Sequence, residues 1–422
     1  MKLFHKVKIK HVFGFLMILN LSYSQSRDSN QILDHYIIVG LENNPSIQQM
    51  FNHWKAAETK ITFAKGLPNP SISFGYFLES VETAAGPQEY KIGIMQNIPW
   101  FGKRKIDGNI QSAKAELAFT LLEKKRLKIS HEIRQIWYDY YYLKRLIDLT
   151  QQNFELIQNW DSVIRSKYVT SRTGHPDLIK TQIELIQLED DLLSLENQKQ
   201  PLLESFRSLL HDQTLSEITV PESLSFSIIN LDRMYLLNII NDSNPDLESV
   251  RSELKVYTEG LKKAKLSKFP TIAVGVEKIL TGEKSGSTFS GNDPLIAKLS
   301  LNIPLWIRKN NSTIKSVKFS KQATEKKVIS IKNELGADLG KVLYDLREGE
   351  RHVLLYQNVL IPKGLESLSA TEKGYRSENI DFLSLVDAQQ RLLKFQMKYE
   401  KSLISYLKAI SKLSVMTGEK IL

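Results

Sequence analysis

The sequence predicts a mainly α chain with a small β part, built from two copies of one unit: helix, strand pair, very long helix, long helix. Three observations carry this. Gly and Pro together supply only 33 of 422 residues, a shortage of breakers that favours long helices. Short motifs recur about 200 residues apart, too long a period for a solenoid and therefore a duplication. Between the helices lie short stretches in which apolar and polar residues alternate, the period of a two-sided strand.

The first element is an address. Lys2, Lys6, Lys8 and Lys10 precede an apolar stretch from Val12 to Leu21 and small residues at Ser22 and Ser24. That order predicts a secretory leader, residues 1–24, cut after Ser24; the alternative, a single membrane anchor, has too few apolar residues to span. The chain carries 57 Lys and Arg against 47 Asp and Glu, a formal charge of +10. Beyond the leader that excess is spread along the chain, so no nucleic-acid partner is expected. Composition excludes disorder and collagen, and no later run of about 18 apolar residues predicts a membrane-spanning helix. Cysteine is absent, which removes disulfides, thiolate metal sites, cysteine nucleophiles and a lipid on an N-terminal cysteine.

The first copy is expected over residues 25–228 and the second over 229–422. Asn44-Pro45-Ser46-Ile47 reappears as Asn244-Pro245-Asp246-Leu247, and Ile98-Pro99-Trp100 as Ile303-Pro304-Leu305-Trp306. Strands are expected at about 71–79 and 90–98, where Ile72, Phe74, Tyr76, Leu78, Ile92, Ile94 and Ile98 alternate with Ser, Gly, Lys and Asn. Their counterparts are about 271–279 and 295–303. Residues 81–88 read as a short loop, and 281–294, rich in Gly, Ser and Asp, as a solvated one. For a soluble protein such strands would form a sandwich face over a core.

Long helices are expected at about 104–172, 176–210, 312–376 and 381–417. From Arg104 to Arg172 there is no proline, and one seam reads Ile133, Ile136, Tyr140, Leu143, Ile147, Thr150, Phe154, Ile157, Asp161, Ile164, Tyr168. Only Thr150 and Asp161 depart from coiled-coil character. A second seam, Tyr142, Leu149, Leu156, Trp160 and Val163, predicts neighbours on two sides, as in a bundle or a helical cylinder. At 1.5 Å per residue the helix is on the order of 100 Å long, so the molecule is elongated. A coiled-coil scaffold shares the seams but lacks paired strands between its helices.

Two local stretches then carry a resemblance. Gln96-Asn97-Ile98-Pro99-Trp100-Phe101-Gly102-Lys103-Arg104 forms a strand-to-helix corner; Ile361-Pro362, Gly374-Tyr375, Ile380-Asp381-Phe382 and Leu385-Val386-Asp387-Ala388-Gln389 form the tip of the last hairpin. With the leader and the duplication, they resemble the TolC family of outer-membrane efflux channels over nearly the whole chain. The corner looks most like the cation-efflux branch, the CusC and CzcC type. The resemblance implies a homotrimer whose four strands per chain form a twelve-stranded outer-membrane barrel continued by a periplasmic helical tunnel. Four strands cannot close alone, and open edges are not tolerated in hydrocarbon. It implies a periplasmic adaptor (a membrane fusion protein) and an inner-membrane pump of the resistance-nodulation-division type as partners, and outer-membrane lipid around the barrel. The implied function is a passive exit duct in a tripartite efflux system, with heavy-metal cations as cargo. Alternatives are a drug or protein export duct of the same fold, a periplasmic adaptor, and an elongated scaffold.

Trp100, Phe101 and Trp306 become candidates for an aromatic girdle at the membrane interface, with Lys103, Arg104, Arg308 and Lys309 beside lipid headgroups; corner packing is the alternative. In the family the last-hairpin motif carries two aspartates three residues apart that ring the periplasmic entrance. Here Asp387 matches one and Ser384 stands in place of the other. Asp381, a further constriction candidate, sits near the start of the helix and reads first as an N-cap satisfying free backbone N–H groups. No P-loop, dinucleotide turn or His-Glu-x-x-His is present, so no enzyme activity, catalytic residue or cofactor is expected. The histidines (His35, His53, His131, His175, His211, His352) and methionines (Met50, Met95, Met234, Met397, Met416) are scattered, so no metal site is expected.

Overall fold

A computed structural model describes residues 24–169, 175–377 and 379–418. Apart from Ser24, the expected leader lies outside the described residues, as does the tip of the first long hairpin. The chain is mainly helical with one four-stranded sheet, the expected class.

Helices α1 (Ser24–Asn43) and α2 (Pro45–Lys65) meet at Asn44. Its Oδ1 accepts from the Ser46 amide at 3.0 Å, while its Nδ2 donates to the Leu209 carbonyl at 2.9 Å. The same joint recurs between α6 (Arg233–Ser243) and α7 (Pro245–Leu266), where Asn244 accepts from Asp246 and Leu247 and donates to the Met416 carbonyl at 2.8 Å. Proline at the first helical position needs no N–H partner, and Asn caps the next turn. The repeated Asn-Pro is thus a restart that also ties each helix pair to a distant helix end.

The strands are β1 (Ser71–Thr83), β2 (Gly86–Ile98), β3 (Thr271–Thr281) and β4 (Leu295–Asn302), antiparallel in that order, with β1 and β4 at the edges. The first hairpin is longer than the alternation suggested. A bulge between Tyr76 and Val81 resets the side-chain period, and pairing resumes to Thr83 and Gly86, so the expected loop at 81–88 is mostly ladder. The 281–294 segment is likewise not a free loop. Ser287 Oγ donates to the Ala84 carbonyl at 2.6 Å, the Gly291 amide to Ala85 at 2.9 Å, and Lys284 Nζ to Thr83 at 3.0 Å, clasping the first hairpin's tip.

Helix α3 (Lys103–Val169) is one uninterrupted rod of 67 residues. The helix expected at 176–210 is two, α4 (His175–Asn197) and α5 (Lys199–Leu210), because Pro201 lacks an N–H and confines the new helix to start just ahead of it. The helix expected at 312–376 starts earlier and is interrupted: α8 (Ile307–Leu355), a π turn at Tyr356–Leu360, then α9 (Ile361–Arg376). The wider turn makes room for Pro362, whose ring would otherwise strike the carbonyl four residues back. Helix α10 (Phe382–Thr417) is the last described helix.

The main core forms where α1, α5, α6 and the segment 211–231 lie over α3, α8 and α10. Trp137, Phe206, Leu210, Ile218, Leu236 and Leu413 are buried there. Polar tips find partners: Trp137 Nε1 donates to the Thr219 carbonyl at 3.0 Å and the Tyr406 hydroxyl to Ser227 at 2.9 Å. Along α3 most of the first seam is buried, including Thr150, which bonds the Leu146 carbonyl, and Asp161, which accepts from Arg165. Of the second seam only Leu149 is buried, and Val163 is exposed.

Candidate functional site

The pairing register sorts the sheet into a mostly apolar face, interrupted by Gln96 and by Lys278, which is ion-paired with Asp293, and a second face of mostly small and polar residues that also carries Met95, Ile279 and Ile296. Ile72 pairs with Ile94, Ile94 with Val276, and Val276 with Ala297; one step along, Phe74 pairs with Ile92, and Val274 with Leu299. These residues share a face, and no helix among the described residues is packed across it. Its side chains stay exposed: Phe74 by 68% and Leu299 by 70%. The opposite face carries Ser73, Gly75, Gly93, Gly275, Ser300 and the buried Glu277, which is ion-paired with Lys298. The buried charge of Glu277 on this face is held by an opposite charge. The apolar stretch of β2 from Tyr90 to Ile98 is about 26 Å long at 3.3 Å per residue, the reach of a tilted membrane strand.

Aromatic residues mark both ends of the apolar face. At the end nearer the hairpin tips, Tyr90 lies 5.2 Å from Tyr76 and 5.9 Å from Phe74 between ring centroids. At the corner, Trp100 stacks on Phe269 at 5.2 Å with planes 12° apart and meets Phe101 edge-on. Phe101 is 83% and Trp306 75% exposed. The chain turns there because Gly102 adopts φ 79°, a left-handed conformation open to glycine, which lets the Lys103 amide reach the Trp100 carbonyl. Arg104 donates from Nε to the Lys65 carbonyl at 3.0 Å, satisfying the end of α2. Lys103 is half-buried, and Arg308 and Lys309 are exposed in the first turn of α8. Sequence reading missed Phe269. The signal was present in Phe269-Pro270, the counterpart of Leu67-Pro68.

At the far end, α9 turns into α10. Gly374 sits where an added Cβ would come within 2.4 Å of the Ile380 side chain, and its carbonyl accepts from the Asn379 and Ile380 amides. A small core of Ile164, Phe382 and Leu385 fixes the tip to α3. Asp381 is the N-cap of α10, its Oδ1 accepting from the Ser384 amide at 3.0 Å. Hydrogen bonds from the Ser384 hydroxyl and amide, with Lys180 nearby, hold its carboxyl below the usual carboxylate range. Two of the three constriction candidates are therefore engaged with each other. Asp387 is exposed one turn further on.

Among the described residues no helix is long and apolar enough to cross a membrane, and no three His, Asp or Glu side chains converge as metal ligands.

No family model matches the sequence, and no curated protein matches it. Solved structures match in fold. A membrane protein from Pseudomonas aeruginosa superposes with a TM-score of 0.77 at 16% identity, covering 92% of this chain and 90% of that one. The outer membrane protein VceC from Vibrio cholerae gives 0.76 at 13% identity, covering 94% and 98%. CusC, described for its folding and transmembrane channel formation, gives 0.77 at 11% identity, covering 96% and 95%. At these identities the likeness is one of fold, and it extends over nearly the full length of both partners.

Proposed function

We propose that this chain is the outer-membrane channel component of a tripartite efflux system. Three copies close a twelve-stranded barrel in the outer membrane, and their long helices form a tunnel through the periplasm. A periplasmic adaptor and an inner-membrane pump of the resistance-nodulation-division type engage the helical tips, and cargo passes passively. The chain hydrolyses nothing in this reading. The observation that carries it is the sheet: an uncovered, mostly apolar face, an opposite face of mostly small and polar residues and two unpaired edge strands, an arrangement stable only when copies pair edge to edge with lipid outside. The half-open second seam of α3 gives the helices the same need of neighbours. The fold shared with VceC and CusC supports it. Only the corner motif speaks for heavy-metal cations as the cargo.

The test is the state of the protein extracted from membranes. A detergent-requiring particle of three-chain mass in the outer-membrane fraction is expected. A monomer that stays soluble without detergent overturns the reading.

A further inference from the structure

Helix α10 carries a second repeat opposite its apolar seam. Asp387, Arg391, Lys394, Lys398, Lys401, Ser405, Lys408 and Lys412 follow one another at alternating steps of four and three residues, which places all eight on one face. Six are basic, spread over about 32 Å of helix. All are exposed except Lys408, which is half-buried and ion-paired with Asp139 of α3 at 2.5 Å. Like charges at these spacings repel and weaken a helix, so the stripe is a structural cost within the single chain.

The other sides of α10 are taken, which fixes where this face looks. Glu400 and Ser411 turn to α3, meeting Arg145 Nε and His131 Nδ1, each at 2.9 Å. Gly349 of α8 lies against the Tyr406 backbone. The Tyr406 ring turns to the 211–231 segment, edge-on to Phe226. The basic face is the remaining side, away from the layer formed by α1, α6 and that segment. In a closed ring of helices such a layer fits outside, because inside it would fill the passage; the basic face then lines the passage. Its C-terminal part borders a groove of about 730 Å³ lined by Lys398, Lys401, Lys408 and Lys412 together with apolar surface from Val342 and Ala409. Asp345 and Glu348 of α8 also line it, and Glu348 is held by Arg351 at 2.7 Å. Four lysines outnumber the two acids.

We propose that this stripe is an anion track and that the cargo of the duct is an anionic amphiphile: a carboxylate, phosphate or sulfate head on an apolar body of drug size. The proposal rests on the duct reading and runs against the cation cargo suggested by the corner motif. Three chains place three such stripes around one axis, where low-dielectric walls focus the field and raise the local anion concentration.

The experiment is reversal-potential recording of the purified full chain in planar bilayers under a tenfold KCl gradient, with taurocholate as the amphiphilic probe. Chloride preference is expected for the unaltered channel. Lys398→Gln with Lys401→Gln should lower that preference and raise the taurocholate concentration needed for block by about tenfold; Lys398→Glu with Lys401→Glu should reverse the preference. Potassium preference in the unaltered channel, or selectivity and block indifferent to these substitutions, overturns the track while conducting trimers leave the duct standing. Absence of any conductance overturns both.

Discussion

The sheet and the core around α3 use the same residue types in opposite ways. In the core, Phe206 and Leu210 are 0% and 1% exposed; on the sheet, Phe74 and Leu78 are 68% and 92% exposed. Burial of apolar side chains is the main stabilising contribution in both, but in the core the chain supplies the cover itself, whereas on the sheet the cover is left to the surroundings. A region that folds against itself and a region that folds against a solvent can thus be told apart within one molecule, by where its large side chains point.

The sharpest way to break the comparison is to truncate one residue of each kind. Phe206→Ala should cost about 3–5 kcal/mol, as for buried aromatic deletions generally, and lower the denaturation midpoint in detergent. Phe74→Ala should leave that midpoint nearly unchanged. Equal losses would mean that the sheet face is covered by protein.

Charge sharpens the same contrast. Ile94→Lys, midway along the apolar stretch, should destabilise the assembled form by about 2–4 kcal/mol, the cost of a cation near the bilayer midplane. Ser73→Lys, on the polar face, should have little effect. Trimer recovery from membranes reads the difference, and equal recovery would remove lipid from the account.

A smaller effect belongs to the helices. Burial first, then the nearby cations Arg134, Lys412 and Lys408, lower the pKa of His131. The unfolded chain then binds the proton more readily than the folded one, so stability is full above the ordinary histidine range and declines as pH falls below about 6.5. His131→Gln should flatten that decline in thermal melts between pH 7 and 5, with no matching change for the sheet, where no described histidine lies.

The smallest expected effect on stability is at the tip. Asp387→Asn should leave trimer yield unaltered while raising the preference for chloride over potassium, since it removes the one acid at the end of a basic stripe. Loss of trimer with unchanged selectivity would assign Asp387 to structure.

Much of this was legible in the chain. The Asn-Pro echo stands at both helix restarts, and the first seam of α3 picked out much of its buried side, though not Trp137 or Tyr141, because both are repeats of local chemistry. The breaks were not legible in the same way. The bulge after Tyr76 hid the outer end of a hairpin by shifting the alternation, and the π turn before Pro362 interrupts a stretch whose local pattern reads as one helix. Phe269 went unnoticed because its stacking partner, Trp100, lies 169 residues away. The N-cap role of Asp381 follows from its place at the start of the helix, but Ser384 as the donor it engages is given only by the cap geometry.

By itself the sequence determined the kind and order of elements, the duplication, and the period of every face, since periodicity follows from backbone geometry one turn or one pleat at a time. The tertiary structure decided which face is covered. It left the apolar side of the sheet bare, clasped the 281–294 segment onto a hairpin from the other half, and turned the basic stripe of α10 away from the layer formed by α1, α6 and the 211–231 segment. Those outcomes depend on contacts between residues far apart in the chain, and a local pattern fixes which residues share a face without fixing what that face will meet.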